Sequence, residues 1–189
     1  MKTWISFCFL FFEIVLCKWQ CVGGGIDAGV GAMVFDETTG DLYAGGKFSA
    51  GADYSAKNVA KWDGFDWTPL QSGTNDFIRA MVMINDELIV GGAFSKAGNL
   101  DCKSIAVWKI HEQNWNCFGD GNVNATIGSI AIHPVSWELY IGGKFRTLDN
   151  VAKNIASWNG YSWVNVGQRI VDSTIFALAF NPWTNDLFV

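Results

Sequence analysis

Short apolar runs separated by tight polar turns dominate the chain, and no long stretch shows the 3.6-residue recurrence of a helix face. Four segments read as hairpins: residues 32–46 (AMVFDETTGDLYAGG), 80–92 (AMVMINDELIVGG), 129–143 (SIAIHPVSWELYIGG) and 177–189 (ALAFNPWTNDLFV). Each places two apolar runs around a turn built from Asn, Asp, Gly or Pro, the residues that accept tight-turn dihedrals. The first three end in a glycine pair: Gly45-Gly46, Gly91-Gly92 and Gly142-Gly143.

A further apolar run follows each pair and ends in a tryptophan, NVAKWDG at Trp62, SIAVWK at Trp108 and NIASWNG at Trp158. A tight turn then leads to Trp67, Trp115 or Trp163 and a downstream glycine, and the early KWQCVGGG, from Lys18, fits the same fourth position. Four short strands per unit, with the pairs 46 and 51 residues apart, is the content of a propeller blade. The expected fold is therefore all-β, built of β-propeller repeats. The expected division is a partial blade over 18–29, units near 30–75, 76–124 and 125–170, and a partial unit over 171–189. This amounts to an incomplete or open ring and a piece of a longer protein, because closed propellers have four to eight blades. The glycine pairs are expected where strands of neighbouring blades converge and a missing Cβ admits another backbone or an indole.

Composition agrees with this reading. The 189 residues include 21 Gly, 10 Trp, 14 Phe and 3 Pro, an aromatic load suited to packed β-structure. The recurring indoles read as core and blade-to-blade packing, with sugar stacking as the alternative. A net charge of −5 without clustered Lys or Arg argues against nucleic acid as a partner.

The pattern L-Y-x-G-G-x-F, followed by x-N-[IV]-A-x-W-[DN]-G-x-x-W, resembles the kelch-type repeats of galactose-oxidase-like propellers. It is most similar to those of the cortical marker of cell polarity family and related secreted repeat proteins. The resemblance covers residues 19–189 and implies a propeller module at the cell surface, binding protein or carbohydrate or serving adhesion. It also leaves open an alternative, part of a galactose-oxidase-like enzyme whose metal site lies elsewhere in a longer chain. A copper site of that kind needs several convergent His and Tyr ligands and a Tyr–Cys cofactor, whereas this chain has only His111 and His133, in different parts of the repeat. Neither a hydrolase elbow, a zinc-protease helix, a phosphate loop nor a calcium loop occurs. No cofactor and no catalytic residue are expected. Asp36, Asp41, Asp63, Asp66, Asp120 and Asp186 read as turn formers.

Residues 1–17 place Lys2 before an apolar run, the pattern of a signal peptide, so a secreted or cell-surface location is expected. Glu13 and the lack of a small-residue cleavage site keep a membrane anchor or lipid-modified cysteine open; any membrane association would come through this segment or through sequence beyond the chain. Cys102 and Cys117 share one repeat and are candidates for a disulfide or for buried free thiols. Asn124, in Asn-Ala-Thr, is a candidate glycosylation site expected in the loop joining two units. Finally, Lys57-Asn58, Lys103-Ser104 and Lys153-Asn154 stand at the entrance to each third strand. The three lysines could form a ring on one face that engages an acidic protein or a glycan; alternatively they are solvated while Asn or Ser satisfies a backbone group.

Overall fold

The computed structural model describes residues 22, 25–50, 55–119, 123–147, 152–167 and 173–189. The leader at 1–17, Trp19 and Asp120 lie outside them. The described residues form strands and turns only, in three four-stranded antiparallel sheets and a two-stranded one. The first sheet runs β1 (Gly29–Phe35), β2 (Leu42–Ala50), β3 (Ala56–Trp62) and β4 (Trp67–Pro69) in sequential order. The second is β5 (Ile78–Ile84), β6 (Glu87–Gly92), β7 (Ile105–Lys109) and β8 (Asn114–Cys117). The third is β9 (Val123–Ile132), β10 (Leu139–Thr147), β11 (Lys153–Trp158) and β12 (Trp163–Asn165), and β13 (Ala179–Phe180) pairs with β14 (Leu187–Phe188). The first strands pack in series, β1 on β5, β5 on β9 and β9 on β13, as the inner strands of consecutive propeller blades do.

The hairpin turns close in a recurring way. Asp36, His133 and Asn181 occupy the same turn position, and the side chain of each accepts hydrogen bonds from the backbone N–H groups two and three residues on. His133 thus uses Nδ1 where the other turns use a carboxylate or amide oxygen. Its ring also packs edge-on against Phe180 of the next blade. In the third-to-fourth-strand turns, Asp63 and Asn159 likewise accept from Phe65, Asp66, Tyr161 and Ser162.

The core lies between the sheets. Tyr43, Val59, Ile78, Leu88 and Trp108 bury one seam between the first and second sheets; Ile89, Ile105, Val107, Ile127 and Leu139 bury the next. Paired tryptophans cap each blade at the turn between its third and fourth strands: Trp62 with Trp67, Trp108 with Trp115 and Trp158 with Trp163, at ring separations of 5.6, 5.3 and 5.2 Å. Two of the fourth-strand indoles also tie their blade to the segment before it. Trp67 Nε1 donates to the Val22 carbonyl at 3.1 Å and Trp115 Nε1 to the Leu70 carbonyl at 2.9 Å. Trp163 Nε1 is buried without an acceptor among the described residues.

The glycine pairs belong to the second strand of each blade, and the groups that press on them are not indoles. A Cβ on Gly91 or Gly142 would lie 2.8 or 2.6 Å from Cγ2 of Ile127 or Ile175 in the following blade, and one on Gly45 would lie 2.7 Å from Cγ2 of Ile78. The second glycine of each pair instead faces the backbone of its own blade's first strand, at the carbonyls of Gly29, Phe77 and Thr126. That close approach coincides with a β-bulge between first and second strands in all three sheets. The expectation of crowding holds; the crowding groups are apolar side chains of the following blade, an isoleucine in each case with Met81 nearer still at Gly45 and Leu178 beside Gly142, and first-strand carbonyls.

Candidate functional site

In a four-stranded meander the β2–β3 loop and the crossing to the next sheet share one end, while the β1–β2 and β3–β4 turns share the other. Lys57, Lys103 and Lys153 all fall at the loop end, Lys57 and Lys103 exposed and Lys153 half-buried. The residue after each lysine has a left-handed backbone: Asn58 at φ 62°, Ser104 at 65° and Asn154 at 63°. Asn tolerates this conformation because its short polar side chain bonds locally.

Two of these residues also join neighbouring sheets. Asn58 Nδ2 donates to the Thr74 carbonyl at 2.7 Å, while Thr74 N donates to the Lys57 carbonyl at 3.2 Å. Ser104 Oγ donates to the Ala125 carbonyl at the start of β9. Asn154 Oδ1 accepts from Phe145 N at 3.3 Å, within its own sheet. The lysine therefore leads into a fixed corner, and its position repeats because the corner repeats.

Lys57 lines a groove of about 430 Å³ with Lys96, Ser49, Thr74 and Asn75. No ion pair involves Lys57 or Lys103 among the described residues, whereas Lys96 meets the exposed Asp101 at 3.2 Å. Lys47, Lys144 and Arg146 lie at the same end, by their register with the starts of β1 and β9, as does Arg79 at the start of β5. The described acids there are Asp27, Asp76 and Asp101; Asp53, Asp120, Asp149 and Asp172 lie outside the described residues. Asp27 and Asp76 are occupied with backbone N–H groups, of Ser49 and Phe77.

The opposite end is acidic. Its turns carry Asp36, Glu37, Asp63, Asp66, Asp86 and Glu112, and its two lysines are held in ion pairs, Lys61 with Asp41 at 3.0 Å and Lys109 with Glu87. Burial pushes the Asp36 carboxyl upward, but the hydrogen bonds from Thr38 and Thr39 outweigh it and hold the group below the usual carboxylate range. The hydrogen bond from Lys109 to Glu87 raises the lysine's pKa, outweighing its burial. Exposed Phe65, Trp137, Tyr161 and Trp183 stand at this end too. Such separation of charge was invisible in a list of scattered charges, because it depends on which loops share an end.

Cys102 and Cys117 form a disulfide, with Cα atoms 5.1 Å apart and a sequence separation of 15. It clips the long β6–β7 loop, which carries Lys96 and Lys103, to β8. Asn124 is exposed, but it sits in β9 opposite Arg146 rather than in the connecting loop. The first strand of this blade begins at Val123, just before the expected unit boundary between 124 and 125. His111 Nε2 lies 3.2 Å from Asp86 at the acidic end, on a different blade from His133. Among the described residues no group of three or more His, Cys, Asp or Glu side chains could hold a metal ion.

Residues 58–160, which carry Asn58, Ser104 and Asn154 of the repeated corner, the tryptophan pairs Trp62–Trp67 and Trp108–Trp115 and the glycine pairs Gly91-Gly92 and Gly142-Gly143, match the model of the Rax2 C-terminal beta propeller domain. The chain belongs to this family. No curated protein matches it. Among solved structures, a chain in "Crystal Structure of Mitotic Checkpoint Complex" is similar at 18% identity with a TM-score of 0.55, covering 87% of this chain and 47% of its own. The Rax2-type chain thus spans about half the length of that neighbour, and the likeness concerns the fold alone.

Proposed function

We propose that this Rax2-family propeller is a non-enzymatic, protein-binding module whose basic loop end docks an acidic segment of its partner. The observation that carries the reading is the segregation of charge. Lys57, in no ion pair among the described residues, and Lys96, paired only with the exposed Asp101, border a groove at one end of the blades, while Lys61 and Lys109 at the other end are neutralised by their neighbours. Electrostatic complementarity of this kind steers encounter and fixes orientation. Loops held on a rigid sheet scaffold are suited to such binding.

The kelch-type character of the repeats belongs to the same proposal, supported by the regular return of the glycine pair and the two tryptophans. So does a secreted or cell-surface setting with a role in adhesion or surface organisation, which the Cys102–Cys117 bridge supports because disulfides persist in oxidising compartments. The test is fluorescence anisotropy of a labelled glutamate-rich peptide titrated with the chain. The variant Lys57→Gln/Lys96→Gln/Lys103→Gln should bind about tenfold more weakly, and added salt should erase the difference. Equal binding by both proteins would remove the loop end from consideration.

A further inference from the structure

Away from the loop end, at the outer seam between the first two sheets, lies a cleft of about 350 Å³ lined by Asp41, Tyr43, Lys61, Gln71, Trp108 and Gln113. Tyr43 is only 1% exposed as a residue and its hydroxyl makes no hydrogen bond among the described residues, yet that oxygen is not sealed from solvent as Trp163 Nε1 is. On so buried a side chain the hydroxyl can be hydrated only through the cleft, which leaves it available to a ligand oxygen there. The equivalent Tyr140 in the third blade has a partner, donating to Glu138.

The cleft also differs from the seam between the second and third sheets. At the next seam the positions of Tyr43 and Lys61 are taken by Ile89 and Val107, which pack in an apolar cluster with Phe118 and Trp158. Between the first two sheets the same space is polar and open. Its rim is fixed, because Gln71 Nε2 donates across the seam to the Gln113 carbonyl at 2.8 Å.

We infer that this cleft is a binding site, separate from the loop end, for a neutral polyhydroxylated ring of the pyranose sugar class. Several features select that chemistry. Lys61 and Asp41 form a mutually neutralising pair, so a charged ligand would have to break it, whereas sugar hydroxyls can accept from the ammonium and donate to the carboxylate together. The Asp41 side chain is 14% exposed and the Lys61 side chain 33% exposed, so both reach the cleft. Tyr43 supplies a donor that stays protonated: burial first, then the charges of Asp41 and Asp36, push its pKa up to about 12. Trp108, Ile110 and Pro69 give an apolar wall for the C–H face of a ring. The volume sits near the lower end of the roughly 300–1,000 Å³ typical of small-molecule sites, which suits one sugar residue.

The test is saturation-transfer-difference NMR on the full chain with methyl β-galactopyranoside, methyl α-mannopyranoside and methyl β-glucopyranoside. The free sugars form a second arm that separates a glycan-end site from one for a monosaccharide. At least one probe should bind in either arm, and Tyr43→Phe should weaken it about five- to tenfold while leaving the urea midpoint unchanged or higher, since it removes only an unpartnered hydroxyl. Lys61→Gln should weaken the same probe, and high salt should leave binding by the wild-type chain intact. Absence of transfer to every probe, or undiminished binding by Tyr43→Phe, would overturn the inference.

Discussion

Asn58 does two separable things, and replacing it by alanine and by glycine tells them apart. Its backbone is left-handed at φ 62°, and its Nδ2 donates at 2.7 Å to the Thr74 carbonyl across the first seam. Asn58→Ala forfeits both. Alanine in the left-handed region costs about 1–2 kcal/mol, and the lost hydrogen bond adds about 0.5–1.5 kcal/mol. The sum is about 1.5–3.5 kcal/mol, or roughly 3–14 °C in Tm for a chain of this size. Asn58→Gly keeps the conformation and loses only the bond, so about 1 kcal/mol is expected. Urea denaturation followed by tryptophan fluorescence measures both. If the two variants lose the same stability, backbone conformation is not what the position supplies. If neither loses more than about 0.5 kcal/mol, the corner does not hold the sheets together.

Trp115→Phe should cost about 1 kcal/mol more than Trp163→Phe, because Trp115 Nε1 gives up its bond to Leu70 whereas Trp163 Nε1 has no acceptor among the described residues; equal urea midpoints would contradict this. Replacing Cys102 and Cys117 together by alanine should remove about 3 kcal/mol, the loop-closure value for a bridge of 15-residue separation, with a loss below about 1 kcal/mol counting against it. Asp36 has a folded pKa below its ordinary value, so it contributes stability that is present above the unfolded pKa and declines as pH falls through it toward the folded one. Asp36→Asn should therefore flatten the fall in stability below about pH 5 while keeping the turn, as Asn181 does at the same position; an unchanged acid limb would be the failing result.

The blade architecture was legible from the chain because strand, turn and tryptophan recur in register. Period-two runs, Asx-type turns and β-bulge glycines are local in their causes, so Gly45, Gly91 and Gly142 announce them. Which groups would press on those glycines was not legible. Ile78, Ile127 and Ile175 come from the following blade, and their placement depends on the angle between sheets. Lys57, Lys103 and Lys153 were recognisable as equivalent positions, but the contrast with the ion-paired Lys61 and Lys109 needed the pairing of strands. Tyr43 gave no signal at all: it sits in the same motif position as Tyr140, and only the seam it faces leaves its hydroxyl without a partner.

The most direct measurement on the binding account is amine-reactive cross-linking of the chain in complex with a partner captured from its native setting, each site normalised to its own single-ended modification. The loop-end account predicts intermolecular cross-links at Lys57, Lys96 and Lys103, with Lys61 and Lys109 contributing few. Cross-links concentrated at Lys61 and Lys109 would place the partner on the acidic turns and contradict it.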